Sequence, residues 1–91
     1  MNAVELSRFV DRLERFTDRG LTLADAGRLA DRLVTRDREG DDRRTCLECA
    51  ALNRNGACSN WRKAGIAIRA GDVRLPDGFK VMLQRCEGFN P

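Results

Sequence analysis

Apolar residues recur at helical spacing near the start of the chain. Leu6, Phe9, Val10, Leu13 and Phe16 fall on one stripe, and charged residues fill the rest of the turn. That pattern predicts an amphipathic helix over 2–19. Asn2 is placed to cap it, and Glu5, three residues on, completes a capping-box pattern. Gly20 is the expected stop. A second stripe follows in Leu23, Ala26, Leu29, Ala30, Leu33 and Val34. It predicts a helix over 22–38, with Thr22 as cap and Asp25 three residues later. The connection is short, so the two helices should pack as an antiparallel hairpin. The exposed positions of the second helix mix Asp25, Arg28, Asp31 and Arg32. That mixture is unlike the basic face of a DNA-reading helix. Any apolar stripe left over would serve a partner or a homodimer formed through the hairpin.

The pattern then changes. Residues 36–44 carry four basic and four acidic side chains around Gly40, which reads as a helix end and a solvated linker. Asn53-Arg54-Asn55-Gly56 is a turn signature. Ser59 is placed to cap a short helix carrying Trp61. Ile66 and Ile68 alternate, as do Val73 and Leu75, with Ala70-Gly71-Asp72 between them. This predicts a short β-hairpin over 65–75. Phe79, Met82, Leu83 and Cys86 recur at i, i+3, i+4 and i+7, which predicts a terminal helix over 77–87 with Cys86 on its buried face. The predicted fold is α+β and mostly α. An N-terminal antiparallel helical hairpin, residues 1–40, precedes a small four-cysteine zinc-stapled unit, residues 41–91. That unit holds the short β-hairpin and the C-terminal helix.

The chemistry lies in the second part. Cys46, Cys49, Cys58 and Cys86 are spaced C-x2-C-x8-C-x27-C. A C-x2-C loop lets two thiolates grip one metal ion. Four soft thiolates fill a tetrahedral site and leave no open position, which suits one structural zinc ion. An iron–sulfur cluster also takes four cysteines and is the alternative. A core with only four Phe and one Trp benefits from such a staple.

Charge narrows the partners. The net charge is +3. Residues 1–44 balance ten Arg against ten acids, so the whole excess lies in 45–91. Four thiolates on a divalent zinc would offset about two of those positive charges. The residues that could meet a nucleic acid or a protein partner are Arg43, Arg44, Arg54, Trp61, Arg62, Lys63, Arg69 and Arg74. Trp61 is read first as a core plug, and its cationic neighbours keep base stacking open.

Catalysis finds no support. The chain has no His, no Gly-rich phosphate loop and no paired carboxylates. A closed tetrathiolate leaves no place for substrate or activated water. The expectation is a non-enzyme without a small-molecule substrate. The first residues lack a signal-peptide pattern, and no run is long and apolar enough to span a bilayer. The expected setting is a reducing cytoplasm, where four cysteines point to metal before disulfides.

The stretch Asp41-Asp42-Arg43-Arg44-Thr45-Cys46-Leu47-Glu48-Cys49, with Cys58 and Leu83-Gln84-Arg85-Cys86-Glu87-Gly88-Phe89, resembles a cysteine module of bacterial proteins of phage and plasmid origin. That module accompanies replication and mobilisation proteins. The resemblance implies a metal-binding accessory module from a mobile genetic element, with the four cysteines as ligands. Two functions follow as expectations. One is a zinc-stabilised adaptor contacting nucleic acid or a nucleoprotein complex. The other is a small inhibitor that blocks a host defence complex by protein–protein contact, anti-CRISPR-like.

Overall fold

A computed structural model describes residues 1–53, 56–59 and 75–91. These residues are mostly helical. The chain divides into two compact units, Met1–Asp42 and Arg43–Pro91.

The first unit is a pair of helices, α1 (Ala3–Asp18) and α2 (Leu23–Arg38). Side chains start both. The Asn2 side chain accepts from the Glu5 N–H at 2.8 Å, and the Glu5 carboxylate accepts from the Asn2 N–H at 3.1 Å. Thr22 Oγ1 accepts from the Asp25 N–H at 3.1 Å. Each of these bonds satisfies a donor that a helix start leaves unpaired. Both helices end in the same way. Gly20 and Gly40 take positive φ, 100° and 68°. The residue after each glycine donates its N–H five residues back, Leu21 to Phe16 O and Asp41 to Arg36 O, both at 3.1 Å. This is the glycine-terminated cap that favours a residue without Cβ.

The helices are antiparallel. Glu5, near the start of α1, accepts from Arg38, at the end of α2, at 2.6 and 3.0 Å. Phe16, Ala26, Leu29, Ala30, Leu33 and Val34 are buried. The apolar stripes are narrower than expected: Leu6, Val10 and Leu23 are exposed. The charged stretch over 36–44, which begins in the last turn of α2, also departs from a simple solvated end. Arg36 is buried, with its side chain only 3% exposed. Its Nε and Nη2 donate to Asp37 Oδ1 at 3.2 and 2.9 Å, and Arg12 Nη2 donates to Asp37 Oδ2 at 2.8 Å. Burial pushes the Asp37 carboxyl up, but these bonds from Arg36 and Arg12 outweigh it and hold the group below its ordinary range.

The second unit has little regular structure among its described residues. A 3-10 turn covers Cys46–Glu48, and α3 is a single turn, Asp77–Lys80. Two isolated antiparallel bridges, Arg44 with Gln84 and Leu52 with Cys58, tie the loops together. No strand runs through the described residues. The hairpin expected over 65–75 lies outside them except for Leu75, whose N–H donates to Gly56 O at 2.8 Å. Leu47, Ala51, Leu52, Ala57 and Leu75 are buried.

The terminal helix expected over 77–87 is corrected. It stops at Lys80, and Val81 is its C-cap. Gln84 then exchanges two backbone hydrogen bonds with Arg44, at 2.8 and 2.9 Å. A backbone pairing outward with another segment cannot also close helical bonds along its own chain. Met82, assigned to the buried stripe, is 48% exposed. Cys86 therefore reaches the site from a loop and not from a helix face.

Candidate metal centre

The first two cysteines sit on a short loop whose shape is fixed locally. Cys49 N–H donates to Cys46 O at 3.0 Å, and Glu48 N–H donates to Thr45 O at 3.1 Å. The Glu48 carboxylate reaches back and accepts from the Thr45 N–H at 2.9 Å and from Thr45 Oγ1 at 3.1 Å. Thr45 is 1% exposed, so this carboxylate answers polar groups that have no water. Leu47, at 0% exposure, anchors the middle of the turn in the core.

The third cysteine is delivered by the turn after Leu52. Asn53 N–H donates to Ala57 O at 2.8 Å and Gly56 N–H to Asn53 O at 2.9 Å. Ser59 donates to Ala51 O from both its N–H and its hydroxyl, each at 2.8 Å. These bonds bring Cys58 back alongside Leu52. The Ser59 hydroxyl holds the Ala51 carbonyl, and the short helix expected after it, with Trp61, lies outside the described residues. The fourth cysteine lies two residues beyond the antiparallel Arg44–Gln84 bridge.

All four thiols line one cavity of about 30 Å³, with Arg44, Thr45, Leu52, Leu75, Gln84, Gly88 and Phe89 completing its wall. None of the four forms a disulfide. Among the described residues, no three Cys, Asp or Glu side chains are gathered into a ready cage for a metal ion. The thiols share a cavity wall without being drawn together onto a single point.

The surroundings fit thiolates. Cys49 Sγ accepts from two backbone amides, Ala51 N–H at 3.4 Å and Asn90 N–H at 3.3 Å. Cys46 Sγ accepts from the Gln84 side-chain amide at 3.5 Å. Amide donors aimed at sulfur favour its charged form and are the outer partners expected around a thiolate ligand. Without a cation, the same crowding works against ionisation. Burial and then the neighbouring Cys86, Cys58 and Cys49 push the Cys46 thiol up to about 11, while Lys80 pulls it down. A divalent ion would remove that conflict, because a coordinated thiol is deprotonated. The donor set and its outer hydrogen bonds therefore fit one soft metal ion.

Three contributors escaped the sequence reading. Glu48 had a signal, because Thr45-Cys46-Leu47-Glu48 matches the capping-box pattern. Asn90 had none: it reads as a tail residue, yet its carbonyl also accepts from Ala50 N–H at 2.7 Å. Lys80 reads as a surface residue and is 5% exposed. Of the proposed partner-binding residues, Arg43 is exposed and Arg44 half-buried. Arg54, Trp61, Arg62, Lys63, Arg69 and Arg74 lie outside the described residues, so the structure does not show them as one surface.

No family model, curated protein or solved structure matches this chain. No helix among the described residues is long and apolar enough to cross a membrane.

Proposed function

We propose that residues 43–91 form a structural tetrathiolate zinc module, and that the protein is a non-enzymatic adaptor of mobile-element origin. The observation that carries this reading is that Cys46, Cys49, Cys58 and Cys86 line one cavity from three separate segments of chain. An iron–sulfur cluster on the same four cysteines is the alternative. The N–H donors on Cys46 and Cys49 support thiolates at those two positions.

The metal would act as a staple. Four filled ligand positions leave nothing for a substrate, so the ion contributes to folding and not to chemistry. Its work is to hold the Cys46–Cys49 loop, the Cys58 turn and the Cys86 loop in one arrangement. The partner proposed for it is a nucleic acid or a nucleoprotein complex; the whole net charge of +3 lies in residues 45–91, and about +1 of it remains once four thiolates hold a divalent zinc. Binding to labelled single- and double-stranded DNA and RNA tests this, measured on the zinc-loaded full chain at low and raised salt. The adaptor reading expects affinity that falls steeply with salt. No binding to any of these probes at low salt would remove nucleic acid as the partner.

A second reading has an observation of its own. The first unit, Met1–Asp42, sets eight Arg against ten acids, a net charge of −2, and Leu6 and Val10 remain exposed along α1. A net negative unit with an apolar helix edge suits contact with a protein better than contact with a polyanion. This favours the small inhibitor that blocks a host defence complex. Its mark is a stable complex with a host protein and no affinity for naked nucleic acid.

A further inference from the structure

Glu48 lies between the two cysteines of the C-x2-C loop, and hydrogen bonds in both directions tie it to Thr45. The Thr45 N–H and hydroxyl both donate to Glu48 Oε1, at 2.9 and 3.1 Å, and the Glu48 N–H donates to Thr45 O at 3.1 Å. Cys46 and Leu47 are enclosed by these bonds. A further bond, from Cys49 N–H to Cys46 O at 3.0 Å, sets the second cysteine against the first. A charged acceptor makes such bonds roughly twice as strong as a neutral one. All of them lie within residues 45–49, so the clamp needs no distant segment in order to form. The fourth cysteine comes from far along the chain. Its segment straddles the pair: the Gln84 side-chain amide donates to Cys46 Sγ at 3.5 Å and the Asn90 N–H to Cys49 Sγ at 3.3 Å, with Cys86 between them in sequence. Ordering two thiols within one short loop costs less entropy than ordering thiols on separate segments.

We propose that Glu48 is a positioning residue that holds Cys46 and Cys49 as the entry half of the metal site. An incoming divalent ion is captured there first, and the segment carrying Cys86 then closes over it. This rests on the zinc reading. Glu48 acts through Thr45 and the loop backbone and is not a ligand. The clamp is local and ready at the moment of capture, whereas the bonds from Gln84 and Asn90 arrive with the closing segment. Interactions already made in a transition state change the forward rate and leave the reverse rate nearly alone. Glu48 therefore governs how fast the ion is taken up, and Cys86 governs how fast it leaves.

The test uses the full chain and its Glu48→Ala, Glu48→Gln, Thr45→Val and Cys86→Ser variants. Stopped-flow mixing with cobalt gives the association rate, and release to excess chelator gives the dissociation rate for zinc and cobalt. Glu48→Ala should weaken binding by about 10-fold or more, as loss of an outer partner does, with the loss mainly in association. Glu48→Gln keeps an oxygen that accepts from Thr45 and should restore most of the association rate. Cys86→Ser should show the reverse split, with faster dissociation at a nearly unchanged association rate. Thr45→Val removes the hydroxyl and keeps the N–H, so it should slow association less than Glu48→Ala. It carries the same test should Glu48→Ala bind too weakly to be timed. Unchanged rates in Glu48→Ala, or a loss confined to dissociation, would overturn the proposal and leave the zinc reading intact. Tighter binding by both Glu48 variants would assign the carboxylate a repulsive charge beside the thiolates and also overturn it. Failure of the wild-type chain to take up zinc or cobalt would overturn both.

Discussion

Arg44 and Gln84 exchange two backbone hydrogen bonds, Arg44 N–H to Gln84 O at 2.8 Å and Gln84 N–H to Arg44 O at 2.9 Å. This single bridge sets the C-terminal loop beside the residue that precedes Thr45 and Cys46. It brings Cys86 to a cavity begun at the other end of the unit, and it lets the Gln84 side chain reach Cys46.

A proline at position 84 should therefore be costly. Gln84→Pro removes the N–H that donates to Arg44 and the amide that meets Cys46. Zinc uptake should weaken, while Gln84→Ala, which keeps the backbone bridge, should weaken it less. Metal competition titrations on the two variants separate the contributions. Equal affinities would show that the bridge does not position Cys86.

The helical unit should lose stability in acid through Glu5. Its carboxyl is lowered from 4.5 to about 2, first by the side-chain bond from Arg38 and then by the Asn2 N–H. A depressed carboxylate stabilises the fold above its unfolded pKa. That contribution fades as pH falls from about 4.5 towards 2 and is gone below both values. Thermal melts of the wild type and Glu5→Gln across this window should differ near neutrality and converge by pH 2. A constant gap at every pH would show that the Arg38 pair and the cap contribute nothing through charge.

Asp37 holds two guanidinium groups at once, and the Arg36 side chain is 3% exposed. Asp37→Ala removes the carboxylate that Arg12 and the buried Arg36 share. The expected loss is about 2 kcal/mol, typical of hydrogen bonds to charged groups. Urea titration followed by helical circular dichroism measures it. A loss indistinguishable from an exposed-site substitution such as Asp31→Ala would place Arg36 on other partners alone.

Among the described residues, Phe16 is the largest side chain at zero exposure. Phe16→Ala should cost about 3–5 kcal/mol and abolish most of the cooperative unfolding of the first unit. Phe9→Ala, at a half-buried site of the same helix, should cost clearly less. Equal losses would move the centre of the α1–α2 contact.

Much of the first unit was legible because its signals are local. Asn2, Glu5, Thr22, Gly20 and Gly40 each act within one turn, and each does in the structure what its position announces. The stripe was read too generously at Leu6, Val10 and Leu23, since periodicity says which face is apolar but not how much of it a single partner helix covers. The second unit resisted for the opposite reason. Phe79, Met82, Leu83 and Cys86 carry a helical period, but long-range pairing of Gln84 with Arg44 overrides it after Lys80. The C-x2-C loop announced itself. The bonds of Asn90 to Cys49 and Ala50 join distant segments, and no local pattern encodes those.

The central claim is that four cysteines of this chain hold one zinc ion that the second unit needs in order to fold. Elemental analysis of the purified full chain, repeated after chelation, tests it most directly, with amide spectra recorded on both samples. The account predicts a colourless protein with about one zinc per chain, and loss of the dispersed signals of residues 43–91 when the metal is removed. Brown protein carrying iron and sulfide, or a metal-free chain whose second unit stays fully folded, would contradict it.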